Sequence, residues 1–157
     1  MAKIFPQKMT AEMDGEFVVF IIGMRINKPW KVHKWLPVFL AMPRMLKELR
    51  GRPDSGLLGY WYPGPLTVIQ YWRSFEHLEA FAHGRGYGHL PAERAFFRRG
   101  GFNGDVGIWH ETYRVAPGMY EVVYGNMPAH GLGKVGRLMP AAGPRDTARQ
   151  RMTAGAQ

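Results

Sequence analysis

Residues Glu16–Ile26 read EFVVFIIGMRI, a run dominated by the β-branched and aromatic types that favour a strand. Alternation puts Phe17, Val19 and Ile21 on one side and Val18, Phe20, Ile22 and Met24 on the other. A strand with one wet face alternates apolar with polar residues, so this one is expected to be covered on both sides. The rest of the chain must supply those covers.

Residues 36–50 (LPVFLAMPRMLKELR) keep an approximate helical period through Leu36, Phe39, Leu40, Leu46 and Leu49, with Pro43 expected to break or kink the helix. Leu57–Tyr62 and Thr67–Trp72 read as a hairpin turning at Pro63-Gly64-Pro65. Ser74 is placed to cap a helix with Glu76 in its first turn and a stripe of Phe75, Leu78 and Phe81. The glycine-rich Gly84-Arg85-Gly86-Tyr87-Gly88 leads to a helix entered near Pro91 and stopped by Gly100-Gly101. Val106–Val115 and Met119–Tyr124 read as strands, and little regular structure is expected after Arg137.

The order β-α-β-β-α-β with one added strand is the ferredoxin-like pattern, an α+β fold with an antiparallel sheet and two helices on one face. Nothing evident in the single chain covers the other face. A second copy's sheet is the expected cover, making a homodimeric α/β barrel with ligand space on the helix side of each sheet or between the sheets. The divisions follow: 1–15 a loose arm, 16–136 the barrel domain, 137–157 a flexible basic tail.

Composition removes several functions. The 157 residues include no cysteine, which excludes disulfides, thiolate metal sites and a Cys nucleophile, and agrees with a reducing, cytoplasmic setting. The two serines, Ser55 and Ser74, sit in a turn and at a helix cap, without the glycines of a nucleophile elbow. The longest uninterrupted apolar stretch, Phe17–Ile22, is far short of the ~20 residues that span a bilayer. The N-terminal MAKIFPQKMT lacks the apolar run of a secretory signal, so no membrane partner is expected. Of the net +9, residues 28–52 carry +6 and 134–157 carry +4. Such clusters suit phosphates, nucleic acid or anionic substrates, or form a solvated helix face and tail.

The stretch Gly107-Ile108-Trp109-His110-Glu111-Thr112-Tyr113, with Pro117-Gly118, Tyr120-Glu121, Tyr124, Asn126-Met127-Pro128 and Gly131-Leu132-Gly133, forms a long signature. Gly23-Met24-Arg25, Trp30, Met45-Leu46, Tyr71-Trp72-Arg73-Ser74 and His89-Leu90-Pro91-Ala92 accompany it. Over roughly residues 16–138 the chain resembles a monooxygenase-like family, long catalogued as a domain of unknown function, in the dimeric α/β-barrel superfamily. The resemblance implies one of two chemistries. Some members of the superfamily oxidise quinol-like or polyketide aromatics without a cofactor. Others bind haem b through a histidine near the second helix and degrade haem, dismutate chlorite or dehydrate aldoximes.

His89, behind the glycine-rich stretch, stands broadly where the haem-binding relatives place their iron ligand; its alternative is a capping or packing histidine. His110 lies mid-strand with Ile108 and Thr112, opposite Trp109, Glu111 and Tyr113. It is either a satisfied core residue or, with a near-neutral pKa, a general acid or base. Arg25 either anchors a haem propionate or substrate carboxylate or completes a structural ion pair. Trp72 and Trp109, with Tyr71, Tyr113, Tyr120 and Tyr124, are candidates to line an aromatic pocket or to be core. Gly131–Gly136 spells GxGxxG but lacks the βαβ context of a dinucleotide site. His77 and His83 are not at zinc-ligand spacing.

The sequence therefore points to a small-molecule oxidoreductase with catalytic His110 and Arg25, and with His89, Arg25, Trp72 and Trp109 toward a cofactor. The alternatives are an aldoxime-type haem dehydratase or lyase, a non-catalytic carrier of a hydrophobic ligand, and, least supported, a nucleic-acid binder.

Overall fold

In the computed structural model, which describes residues 2–84 and 86–156, the chain runs β1 (Met9–Glu12), β2 (Phe17–Ile26), α1 (Val32–Arg50), β3 (Leu57–Gly64), β4 (Thr67–Trp72), α2 (Phe75–His83), α3 (His89–Arg98), β5 (Val106–Val115), α4 (Leu132–Val135), β6 (Arg137–Pro140) and α5 (Ala148–Ala154). Arg85 of the glycine-rich stretch lies outside the described residues. The main sheet is antiparallel in the order β3-β4-β2-β5. With α1 between β2 and β3, and α2 and α3 between β4 and β5, this is the ferredoxin-like arrangement.

The doubly apolar β2 is central, as its pattern requires. Val18, with Val68 and Trp72 of β4, meets Met45, Leu46 and Leu49 of α1 and Leu78 and Phe81 of α2 on the helix face. Phe17 and Val19 point to the outer face, against Met13, Tyr120, Val122, Leu132 and Val135. The chain therefore covers part of the outer face itself, which corrects the premise that only a second copy could do so.

That cover comes from Met13 and residues 120–135, and the two ends of the sequence pair with each other against α4. All four residues of β1 are buried, and they pair antiparallel with β6, Met9 opposite Pro140 and Glu12 opposite Arg137. Glu12 accepts from Arg145 Nε at 2.6 Å and lies 3.4 Å from Arg137. Buried Arg151 donates to Glu121 at 2.7 Å and to the carbonyls of Arg145 and Asp146, and Lys8 pairs with Asp146. The arm and the tail thus carry regular structure, where the sequence reading has a loose arm and a flexible tail. Most of the tail's cations have partners.

Two further elements differ from expectation. Helix α1 runs unbroken through Pro37 and Pro43. Residues 119–124 form no strand: Tyr120, Val122 and Tyr124 are partly buried and Met119 and Val123 exposed, but the single bridge of Tyr124 to Met9 is their only ladder contact among the described residues. Alternation is present there without a neighbouring strand to satisfy it.

Candidate functional site

Helix α1 lies against β2 and α2 against β4, and the helix face of the edge strand β5 is left open. Ile108, His110, Thr112 and Arg114 are all exposed along it. Register sets His110 opposite Ile22, with Phe20 and Met24 on the neighbouring diagonal positions. The imidazole stands against the Phe20 ring, centroids 5.4 Å apart. His110 is therefore exposed to solvent in the single chain, with Phe20, Ile22, Met24, Ile108 and Thr112 as its neighbours on that face of the sheet. The core alternative is excluded.

His89 is the first residue of α3, held behind Phe81 with ring centroids 5.5 Å apart. Its Nδ1 is 2.9 Å from the Ala82 carbonyl oxygen, so Nδ1 carries the proton and donates it there, leaving Nε2 as the basic nitrogen. That tautomer suits an axial ligand. The two best-defined hollows among the described residues have cavity volumes of about 10 and 40 Å3, against roughly 300–1,000 Å3 for ligand pockets. Neither is lined by His89, His110 or Arg25.

Trp72 is 0% exposed and donates its indole N–H to Gln70 Oε1 at 2.8 Å. It is core, sealed from any cofactor. Arg25 and Trp109 lie on the outer face, across the sheet from His110, Arg25 opposite Gly107 and Trp109 opposite Gly23. The structure thus splits the sequence-derived set: His110 and His89 on the helix side, Arg25 and Trp109 on the other. Gly23 is there because the Trp109 indole lies on it; a Cβ would come within 2.6 Å of Nε1. Next along β5, Tyr113 donates to Glu111 at 2.6 Å, and that bond pushes the phenol up from its ordinary value.

The outer face also carries a cluster that joins two of the pocket candidates, Tyr71 and Tyr124, to Trp61 and His130, which sequence reasoning left without a role. His130 packs edge-on to Trp61, centroids 4.5 Å apart. Trp61 donates to the Tyr71 hydroxyl at 3.4 Å, and the Gly133 N–H donates to the Tyr124 hydroxyl at 3.1 Å. Burial pushes both phenols above their usual value, so they stay neutral. Gly131, at φ 51°, passes between them, where a Cβ would lie 3.1 Å from the Tyr71 oxygen. The GxGxxG letters therefore serve close packing under two tyrosines. No sequence signal joined residues 61, 71, 124 and 130, because each pairing depends on the fold.

The basic segment is largely used in structure. Asp105, 3% exposed, pairs with Lys28 at 2.7 Å and Lys31 at 3.0 Å. Lys34 donates to the Arg99 carbonyl at 2.7 Å. Arg52 pairs with Glu48 and lies 4.5 Å above the Tyr87 ring. No helix is long and apolar enough to cross a membrane among the described residues, and no group of three or more His, Asp or Glu side chains is placed to hold a metal ion.

A comparison with curated proteins returns no match. The family described as Monooxygenase af470-like matches residues 17–132, from the first residue of β2 to the start of α4. Together with the β3-β4-β2-β5 sheet and the signature spread along it, that match makes this chain a member of the Monooxygenase af470-like family.

Proposed function

We propose that the protein is a cofactor-independent, monooxygenase-like oxidoreductase acting on a small aromatic or enolisable substrate at the exposed helix face of β5, with His110 as general base. The observation that carries this reading is the placement of His110, exposed, tilted against the Phe20 ring and set opposite Ile22 on the same face of the sheet. A flat apolar substrate stacks on such a face, while the imidazole reaches an acidic C–H or phenolic O–H. His110 takes that proton, and the resulting carbanion gives its electrons to molecular oxygen. One oxygen atom becomes the new carbonyl and the other leaves as water, so that R2CH2 + O2 gives R2CO + H2O. The proton held by His110 returns to the departing oxygen.

A second copy completes the assembly in this reading. β5 is an edge strand with unpaired backbone groups, and Trp109 and Tyr113 remain half-exposed on the outer strip that the chain does not cover. Arg25 belongs to that strip and is assigned to the space between copies.

The test uses the full chain as purified, with anthrone as the acidic-methylene probe, following oxygen uptake and the absorption spectrum. Oxygen is expected to be consumed one for one with product, with no Soret band. His110→Ala is expected to lose roughly 100-fold or more in rate, the usual share of a general base, while His89→Ala retains activity. Full activity in His110→Ala would sink the assignment. A Soret band lost with His89→Ala would replace it with haem chemistry, and binding without turnover would make the protein a carrier.

A further inference from the structure

The opposite end of α3 carries a feature that the proposed chemistry does not use. Phe96, Phe97 and Phe102 form a mutual edge-to-face triad, with centroids 5.4 to 5.9 Å apart. Two of the three rings are given largely to water, Phe97 at 50% and Phe102 at 78% exposed. Trp30, at 75%, belongs to the same end of the molecule. Its loop is fastened there by Asp105, which binds Lys28 and Lys31 and whose carbonyl accepts from Asn27 N–H. Lys34 closes the link by donating to the Arg99 carbonyl.

Large exposed apolar side chains grouped together mark an interaction site, and the charge around these names its partner. Residues 28–34 and 93–105 hold six cations, Lys28, Lys31, Lys34, Arg94, Arg98 and Arg99, against two acids, Glu93 and Asp105. One of those acids is buried under two lysines. Tryptophan and phenylalanine tips inside a cationic collar match a bilayer interface, where aromatic rings sit at headgroup level and cations meet anionic lipid. No helix among the described residues is long and apolar enough to cross a membrane, so the contact proposed is with the bilayer surface.

We infer that this end is a peripheral docking surface for an anionic lipid bilayer, with Trp30, Phe97 and Phe102 entering the interface. It draws on the net +4 of the two segments together, and it holds whatever reaction His110 performs.

The experiment is flotation of the full chain with vesicles of phosphatidylcholine alone or mixed with phosphatidylglycerol, at low and high salt. Two double variants are compared, Trp30→Ser with Phe102→Ser, and Arg98→Gln with Arg99→Gln. All four side chains are exposed, and unchanged far-ultraviolet circular dichroism confirms folding. The chain is expected to float with the anionic vesicles only, and less at high salt. The arginine pair should weaken binding about 25-fold, at about 1 kcal/mol per cation near the surface, and the aromatic pair should abolish it. Failure to float overturns the inference. So does flotation that survives the aromatic pair, which would be plain charge adsorption. Self-association without vesicles that the aromatic pair abolishes would instead make the patch a contact between copies.

Discussion

Asp105 shows how far apart in sequence the partners of one residue stand. Lys28 and Lys31 read as free charge in a basic run, since their acid lies 74 residues beyond Lys31, just before β5. Hydrogen bonds from the two lysines hold its carboxyl down at about 2, below the ordinary ~3.9. The folded carboxyl therefore binds fewer protons than the unfolded one over that window, and its stabilisation is complete above about pH 4 and lost as pH falls through about 2. Asp105→Asn is expected to lower Tm at pH 6 and to differ little from the parent chain near pH 2, in parallel thermal melts. Trp72 makes a second case. Its signature looked suited to a pocket, yet nothing in the local pattern distinguishes a lining aromatic from a buried one. Trp72→Ala should cost about 3–5 kcal/mol, the range for emptying a filled aromatic site, measured by urea unfolding.

Among the elements, those with a strong pattern of their own were legible. Thr67–Trp72 and Val106–Val115 form strands at the boundaries their sequences suggest, and Ser74 caps α2 by accepting from the His77 N–H. The failures are elements whose stability comes from elsewhere. β1 is four residues, MTAE, too short to carry a periodic signal, and it exists because β6 pairs with it. Residues 119–124 show the reverse, alternation without a ladder. The faces of the candidate site were legible because alternation along β5 is a local property. That both faces of β5 lay open was not, since that depends on where α1 and α2 end and on how far the chain covers the outer face. Glu12 joins the two terminal elements, and Arg145 and Arg137 hold its carboxyl below the usual range despite burial. Glu12→Ala is expected to cost about 1–3 kcal/mol, as for a lost charged hydrogen bond. The faster hydrogen exchange should be confined to the amides of β1 and β6, read by mass spectrometry.

At the scale of the whole molecule, the outer face is divided. The half near Phe17 and Val19 is closed by Met13 and residues 120–135 of the same chain, and the half bearing Trp109 and Tyr113 is open. A copy docking on the open half should therefore depend on Trp109 and be indifferent to the Arg98 and Arg99 pair. Sedimentation velocity is expected to show a dimer that Trp109→Glu converts to monomer. A monomeric parent chain would remove the second copy from the site.

The pairing of β1 with β6 also sets an order of events during synthesis. Glu12 leaves the ribosome 125 residues before Arg137, its ion-pair partner. At about 5–20 residues per second, the first strand waits roughly 6 to 25 seconds for the last. In that interval MTAE has no ladder, and the Phe17 side of the growing sheet gains its roof only as residues 120–135 emerge. Chains stopped short of residue 120 would keep most of that surface bare, so such incomplete products of this protein should be the ones that chaperones hold and proteases clear.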